Sequence, residues 1–477
     1  MLKKWLSSYN FNYPRSIVYM LQASEYKILA YLKWLGRVKD FHNVEVRKHL
    51  VKTPKAILVL SLAWLLFTLA LLFSFYTLLN DFAQLKWVLF VLSLILIPGI
   101  VSYGIIIPLA ASKFLIQAPI EYFIIKSAKN KIKNHKGMKI GIAGSFGKTT
   151  MREILKTVLG EGRRVAAPPH SYNTLLGISK FVKTLKGDEE ILIFELGEYY
   201  KGDIKEMCEL VGPELGVITG VNEAHLEKFK SLDVTTGTIF ELAEWLGGRP
   251  LYVNGESVLA KKHSSKSHII YDRNGISEWK TENAKTDLSG ISFTLSRGKE
   301  KFEFRSKLLG LHQVGPLLVA VDLAFRLGMS MEQIKRGIGN TKPFDHRLEP
   351  KTDQNGVTIL DDSYNGNPDG VKAVIEFLAS LKGHRRFYVT PGLVEMGHKT
   401  EAIHREIGKK LAQSGIEKIV LVKNSVTPHI EQGLMEFGYK GDIIWFSDGL
   451  SALNALPHLT VSGDIVLLQN DWPDQYY

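Results

Sequence analysis

Lys148 and Thr149 are the residues whose types and surroundings most directly predict chemistry. They close the stretch GIAGSFGKTT, which has glycines at positions 141, 144 and 147. A lysine in such a loop can neutralise the β- and γ-phosphates of a nucleotide, and the threonine hydroxyl can hold Mg²⁺. Ile142 stands where the usual loop G-x-x-x-x-G-K-S/T has its first glycine, so an ordinary strand-to-helix turn is the alternative. The candidate loop residues are Gly144, Ser145, Gly147, Lys148, Thr149 and Thr150.

A carboxylate and a histidine farther along the chain are candidates for binding a metal that accompanies phosphate. Glu195 ends the apolar run ILIFE. A carboxylate at the end of a strand, opposite a phosphate loop, suits Mg²⁺ that is held partly by phosphate. The alternative for Glu195 is a solvated side chain. His225 lies in the segment NEAHLEKF, and a lone histidine is more often a surface or packing residue than a ligand.

The elements that must position these residues alternate between strands and helices from about residue 137 onward. Residues 138–143 form a predicted strand, and a helix from Thr150 has apolar residues at helical spacing. The loop between them would direct a helix N-terminus at an anion. Further Val-, Ile- and Leu-rich runs are typical of strands buried on both faces. These runs are 190–195, 214–219, 250–253, 356–361, 385–390, 417–422, 442–446 and 464–468. The alternation predicts an α/β fold with parallel sheets.

Two further patterns divide this part of the chain. The alternating polar and apolar residues of 280–306 predict a β-hairpin insertion. The segment NTKPFDHRLEP marks a boundary, which gives a central domain over 137–342 and a C-terminal domain over 343–477. Asn367 and Pro368 are suited to cap and begin the helix NPDGVKAVIEFLASL.

The N-terminal third predicts a membrane anchor. Residues 1–54 are basic and aromatic, and two uncharged apolar runs follow at 56–80 and 87–112. Each run exceeds the roughly 20 residues that span a bilayer, although a pair of buried core helices is the alternative. Lysines and arginines flank the predicted hairpin (55–112) and fill the linker 113–136, so both ends should face the cytoplasm. Contact of these basic residues with anionic headgroups of the lipid bilayer would explain much of the net charge of +12. We find no nucleic-acid-binding module in the sequence.

Taken in chain order, the segments resemble the Mur ligase family, which builds the bacterial cell-wall peptide. The family's loop has the form G-x-x-G-S/T-x-G-K-S/T-S/T. The stretch SYNTLLGIS resembles its asparagine-containing loop, NEAHL its N-x-x-x-H-L segment with one residue fewer, and FDHRLEP its H-R-x-E motif. DDSYNGNPDG resembles the D-D-S-Y-N-A-N-P signature of the branch that adds D-alanyl-D-alanine. The resemblance implies a P-loop central domain and a Rossmann-like C-terminal domain.

The resemblance also implies ATP and Mg²⁺ as cofactors and assigns roles to individual residues. Lys148, Glu195, His225 and Arg347 would be catalytic, and Thr149, Glu195 and His225 would hold the metal. Arg347 would reach the ATP phosphates when the domains close, a role that suits a planar, always charged guanidinium. For Arg347 the alternative is a surface ion pair with Glu349. The remaining nucleotide-binding residues would be Asn173, His312 and Asp362, the last at the ribose.

Several family features are missing. At the adenine-side motif only His312 remains, because Gln313 and Pro316 replace two asparagines. The lysine that several members modify to a carbamate is absent near Thr236, and Gln469-Asn470-Asp471 replaces a Lys-Gly-Ser. The apolar hairpin stands where the branch has its UDP-sugar-binding domain.

The sequence therefore predicts an ATP-dependent, ADP-forming ligase that acts through an acyl phosphate. Its partners would be a carboxylate cell-wall precursor and an amine such as D-alanyl-D-alanine, and its catalytic domains would face the cytoplasm on a two-pass membrane anchor. Two alternatives remain open. One is a Mur-type ligase with a lipid-linked or polymeric acceptor, as in poly-γ-glutamate synthesis. The other is a degenerate nucleotide-binding scaffold at the membrane.

Overall fold

The computed structural model describes residues 2–45, 49–79, 85–169, 172–224, 226–364 and 366–470. The chain forms two compact units, one ending at Phe123 and the other beginning at Ile124. His225, which we predicted as a metal ligand, lies outside the described residues.

The first unit is helical. Its helices are α1 (Leu2–Ser7), α2 (Tyr13–Ala23), α3 (Ile28–Arg37), α4 (Pro54–Leu79), α5 (Lys86–Gly104) and α6 (Ile106–Ser112). A π-helical turn, Lys113–Gln117, leads into α7 (Ala118–Lys133), which contains the boundary between the units. Two helical segments, Pro54–Leu79 and Lys86–Lys133, are long enough to cross a membrane and contain apolar stretches suited to it. The predicted apolar hairpin is thus helical, while its place in a membrane stays a prediction.

Tyrosines of the N-terminal segment bind the backbone of α5 beside its proline. Pro98 has no N–H, so the carbonyl of Leu94 loses its usual helical donor. The Tyr9 hydroxyl donates to this carbonyl at 3.0 Å, and the Tyr13 hydroxyl donates to the Pro98 carbonyl at 3.0 Å. The first 45 residues are therefore more than a charged segment, because their helices pack on α4 and α5 in one apolar cluster.

The second unit contains two sheets. The first sheet has the strands β1 (Met138–Ala143), β2 (Val165–Ala166), β3 (Ile191–Glu195), β4 (Leu215–Ile218), β5 (Leu251–Asn254), β6 (Ile269–Asp272), β7 (Gly275–Ile276), β8 (Trp279–Asp287), β9 (Gly290–Arg297) and β10 (Glu300–Ser306). Their order is β10-β9-β8-β7-β6-β5-β4-β1-β3-β2. Neighbouring strands are parallel in the part β5-β4-β1-β3-β2 and between β6 and β5. Neighbouring strands are antiparallel in the part β10-β9-β8-β7-β6.

Helices cover both faces of this sheet, which accounts for the mainly apolar residues of its central strands. They are α8 (Lys148–Leu159), α9 (Leu175–Thr184), α10 (Asp203–Val211), α11 (Leu226–Phe229), α12 (Leu232–Leu246), α13 (Val258–His263), α14 (Val314–Arg326) and α15 (Met331–Asn340). One core contains residues of α8, α14 and α15, and a second core contains residues of α9, α10 and α12. Ile140 and Ile142 of β1 belong to the first core and Ala143 to the second, as expected for a strand buried on both faces.

The second sheet has the strands β11 (Glu349–Thr352), β12 (Thr358–Asp362), β13 (Arg386–Thr390), β14 (Lys418–Val422), β15 (Asp442–Phe446) and β16 (Ile465–Gln469). Their order is β11-β12-β16-β13-β14-β15, and only β11 runs antiparallel to its neighbour. The helices are α16 (Pro368–Ser380), α17 (Thr400–Ser414), α18 (Thr427–Glu436) and α19 (Gly449–Leu459). The Asn367 side chain accepts the Gly370 N–H at 2.9 Å, which confirms the predicted cap.

The structure confirms the α/β prediction and all nine predicted strands within one or two residues. The predicted hairpin over 280–306 is wrong in strand number. The segment forms three antiparallel strands, because a turn at Ser289 and a second turn at Gly298 each reverse the chain. These strands extend the edge of the first sheet, and the boundary at 342/343, between α15 and β11, stays a prediction.

Candidate functional site

The carboxyl ends of strands from both sheets face a cavity of about 520 Å³. Such edges of parallel sheets are where α/β proteins bind ligands. The cavity wall includes residues that end or directly follow strands of the first sheet, namely Thr219, Asn254 and Asp272. From the second sheet, Asp362 and Gln469 end β12 and β16 and also line it.

The predicted phosphate loop joins β1 to α8 at one end of this cavity. Gly144 has a φ of +144°, and a Cβ there would lie 2.3 Å from the Thr219 hydroxyl oxygen. Gly147 is the residue before α8 and has a left-handed φ of +74°, so no side chain caps the helix. Both positions therefore favour glycine, and among the described residues no side chain accepts from the first N–H groups of α8. This geometry fits an anion.

The loop lysine is held by a carboxylate that we did not predict. Lys148 Nζ donates to the carbonyl of Gly144 and lies 2.9 Å from Glu198 Oε2 and 3.1 Å from Glu198 Oε1. The Glu198 side chain is only 2% exposed. A signal was present in the sequence, because Glu198 lies only three residues after Glu195, the last residue of the apolar strand β3.

Glu195, the predicted metal ligand, lies at the first turn of α8. Its Oε2 accepts the Thr149 hydroxyl at 3.1 Å, so the structure brings these two predicted residues together. Arg152 Nη1 is 2.7 Å from Glu195 Oε1, yet this buried oxygen accepts no aligned hydrogen bond from any described residue. Burial raises the pKa of Glu195, while Arg152 and Lys148 oppose that shift. We did not predict Arg152.

Glu195 and its neighbours fit Mg²⁺ that shares its ligands with phosphate. Oε1 of Glu195 has acceptor capacity left, and Thr149 supplies a hydroxyl beside it. Among the described residues, no group of three or more His, Cys, Asp and Glu side chains could hold a metal ion alone. This is the pattern expected of Mg²⁺ in nucleotide sites, where one or two carboxylates act together with substrate phosphates.

Arg347 and Asp362 both line the cavity, and their charges interact. Burial raises the pKa of Asp362 to about 6, although Arg347 and a hydrogen bond from Gln469 Nε2, at 3.0 Å, favour the carboxylate. Burial also lowers the pKa of Arg347, with Asp362 opposing the shift. The guanidinium lies 5.1 Å from the Tyr364 ring centroid, and Glu349 instead pairs with Lys351. The alternative of a surface pair between Arg347 and Glu349 is therefore not what the structure shows.

The residues Gln469 and Asn470, which replace a lysine and a glycine of the family pattern, are integrated into the site. Gln469 orients Asp362, as described, and the Asn470 side chain accepts the Gly366 N–H at 3.0 Å and donates to the Gly392 carbonyl. Near the missing lysine, the Thr236 hydroxyl donates to the Leu232 carbonyl at 2.6 Å within α12. That segment of α12 thus supplies no cation or carbamate.

The other predicted residues have different positions. His312 lines the cavity, and its Nε2 is 3.0 Å from Gln313 Nε2. Burial lowers the pKa of His312 to about 4, so the ring is neutral at pH 7. Asn173 contacts the strand end through its carbonyl, which accepts the Gly197 N–H at 2.9 Å. Gly147, Thr150, His312, Arg347 and Asp362 line the cavity, whereas Lys148, Thr149, Glu195 and Asn173 lie outside its wall.

Polar contacts join the two domains around the cavity. Asn222 Nδ2 donates to Asn367 Oδ1 at 2.8 Å and to Asp369 Oδ2 at 3.0 Å. Arg273 donates to Glu256 at 2.8 Å within its own domain and to Glu376 of the second domain at 2.9 Å. These contacts were not predicted, since they depend on how two separately folded sheets meet.

Comparison with known proteins gives a consistent assignment. The family model described as "Mur ligase middle domain" matches residues 142–324, and "Mur ligase, glutamate ligase domain" matches residues 346–469. The UDP-N-acetylmuramoyl-tripeptide–D-alanyl-D-alanine ligase of Bacillus subtilis is 26% identical over 340 residues, which are 69% of this chain and 72% of that protein. The ligase of the same name from Mycobacterium bovis is 30% identical over 59% of this chain, and the match spans only 58% of that protein.

Solved structures show the same fold. MurF from Acinetobacter baumannii has a TM-score of 0.65 at 21% identity, covering 75% of this chain and 78% of that one. MurF from Thermotoga maritima, solved in complex with ADP, has a TM-score of 0.64 at 23% identity, covering 74% and 80%.

Proposed function

Because the chain belongs to the Mur ligase family, we propose that it is an ATP-dependent ligase that joins D-alanyl-D-alanine to a UDP-N-acetylmuramoyl-tripeptide. The observation that carries this proposal is the cavity between the sheets. Its lining includes a glycine loop at a helix N-terminus from the first domain, and a half-buried arginine and carboxylate from the second. The relatives named above bear the name of this activity.

The proposed reaction is mainly an electrostatic task for the protein. ATP supplies the phosphoryl group that turns the substrate carboxylate into an acyl phosphate, which the amine then attacks with release of phosphate. Lys148 and the N–H groups of α8 would stabilise the phosphates at one end of the cavity. Arg347 belongs to the C-terminal domain, and its forked N–H groups would bind a phosphate from that side. Asp362 would accept hydrogen bonds from the ribose hydroxyls.

Glu195 and Thr149 would hold Mg²⁺, whose charge neutralises phosphate oxygens when it is bound. His225 would join them as in the family pattern. The closed arrangement of the domains would exclude water from the acyl phosphate, since water would hydrolyse it.

The test uses the full chain in detergent or nanodiscs. ADP release should require both UDP-N-acetylmuramoyl-tripeptide and D-alanyl-D-alanine, and mass spectrometry should show the joined product. Lys148→Ala should lower turnover by at least about a hundredfold, in the range found when one preorganised charge-stabilising group is removed. ADP release only with another carboxylate and amine would favour the alternative of a lipid-linked or polymeric acceptor. Nucleotide binding without ADP release from any carboxylate and amine would favour the degenerate nucleotide-binding scaffold.

We also propose that Pro54–Leu79 and the apolar part of the helix from Lys86 cross the cytoplasmic membrane as a two-pass anchor. The support is their length and hydropathy, together with large apolar side chains that are exposed along both helices. In sealed right-side-out vesicles, both termini should resist added protease and become sensitive when the vesicles are opened. Cleavage of either terminus in sealed vesicles would contradict this topology.

A further inference from the structure

Glu198 forms an ion pair with the lysine of the phosphate loop. The one lysine of the loop already has a carboxylate partner, at 2.9 Å and 3.1 Å from the two Glu198 oxygens. Both side chains are largely buried, with 13% of Lys148 and 2% of Glu198 exposed. A phosphate that binds in this loop must therefore compete with Glu198 for the same ammonium group.

Breaking this pair would leave Glu198 in an unfavourable state. Among the described residues, only Lys148 hydrogen-bonds to the Glu198 carboxylate. A buried carboxylate that loses its cation is strongly destabilised unless another cation replaces it. Glu195 is in a different position, because Arg152 and Thr149 stay beside it when Lys148 moves.

We propose that Glu198 couples nucleotide binding to Mg²⁺. In the absence of the metal, Glu198 opposes the phosphates through its charge and through its hold on Lys148. With Mg²⁺, the arriving cation compensates for the charge of Glu198 when the lysine turns to the phosphates. The inference deepens the proposed function, since it rests on nucleotide binding at this loop. It assigns Glu198 a positioning role toward Lys148, apart from the metal ligands Glu195 and Thr149.

The experiment measures binding of the non-hydrolysable ATP analogue AMP-PNP to the full-length protein by calorimetry, in EDTA and in excess Mg²⁺. In the unaltered protein, Mg²⁺ should tighten binding by at least about a hundredfold. In Glu198→Gln, binding in EDTA should become at least about tenfold tighter than in the unaltered protein, so the effect of Mg²⁺ shrinks by the same factor. Glu214→Gln is the matched control, because it also removes the charge of a glutamate that pairs with a lysine. Glu214 Oε1 lies 3.4 Å from Lys139 Nζ, and neither residue lines the cavity. It should leave both affinities unchanged.

The outcomes separate this inference from the proposed function. If the unaltered protein binds no AMP-PNP with or without Mg²⁺, the proposed function fails. If it binds AMP-PNP but Mg²⁺ changes the affinity less than about threefold, the coupling is absent and the inference alone is overturned, whether or not the variant folds. The inference would also be overturned if Glu198→Gln and the unaltered protein bound AMP-PNP equally tightly in EDTA while having the same melting temperature. Glu198→Asp should keep most of the coupling, because it keeps the charge.

Discussion

Nucleotide binding should depend on pH through Asp362, the half-buried carboxylate at the end of β12. Burial raises its pKa to about 6, so its ionised fraction should fall from about nine tenths at pH 7 to about one tenth at pH 5. A ribose that binds the ionised form should thus bind about tenfold more weakly at pH 5. Because an acid with a raised pKa keeps its proton longer in the folded state, its contribution to stability is present at low pH and is lost as the pH rises through about 6.

The assay is calorimetric titration with ADP in Mg²⁺ between pH 5 and pH 8, made in parallel on Asp362→Asn. The phosphates of ADP also titrate in this range, but they do so equally for both proteins. The ratio of the two affinities therefore isolates Asp362. This ratio should change about tenfold between pH 7 and pH 5, with a midpoint near 6. ADP binding at pH 6 should release more protons in the unaltered protein than in Asp362→Asn.

A constant ratio across the pH range would refute the reasoning. It would mean either that Asp362 does not bind the ribose or that it is already ionised at pH 5. By linkage, both cases give equal proton release in the two proteins, so a direct titration of the Asp362 carboxyl in the unliganded protein distinguishes them. Gln469→Ala offers a further comparison, since the loss of its 3.0 Å hydrogen bond to the carboxylate should move the midpoint to higher pH.

Two other substitutions test local geometry. Gly144→Ala should weaken AMP-PNP binding at least about tenfold, because its Cβ would lie 2.3 Å from the Thr219 hydroxyl oxygen at a φ of +144°. Gly187→Ala is its control, with a φ of +98° but no atom within 4 Å of the added Cβ, and equal effects of both on binding would contradict the steric argument. Tyr9→Phe should lower the free energy of unfolding of the first unit in detergent by about 1 kcal/mol, because it removes the donor to the carbonyl freed by the helix proline. Denaturant titration checks this, with the exposed Tyr103→Phe as comparison, and an unchanged midpoint would contradict it.

The strands and the phosphate loop could be predicted because their signals are local. Apolar runs between glycines and prolines mark strands that are buried on both faces, and β1 follows this rule from Met138 to Ala143. The same locality explains the cap at Asn367. The extra strand in 280–306 was missed because its turn at Gly298 has no strong signal beyond one glycine.

The partners within the site could not be predicted from local patterns. Glu198 and Lys148 are fifty residues apart, and Gln469 is 107 residues from Asp362. Such pairs form only when parallel strands place their carboxyl ends at one edge. The family pattern indicated which residues matter, but the pattern at 469–471 differs, so the contact of Gln469 became visible only in the structure.

The division of the cavity between two sheets has a thermodynamic consequence. A ligand that fills it contacts Thr219 and Asn254 on one side and Asp362 and Gln469 on the other, so neither domain alone contains the complete site. Occupancy and domain association are then linked, and each favours the other by the same free energy. A bound nucleotide would therefore stabilise the association of the two domains as well as take part in the reaction. The stability of the associated domains would then depend on the nucleotide concentration.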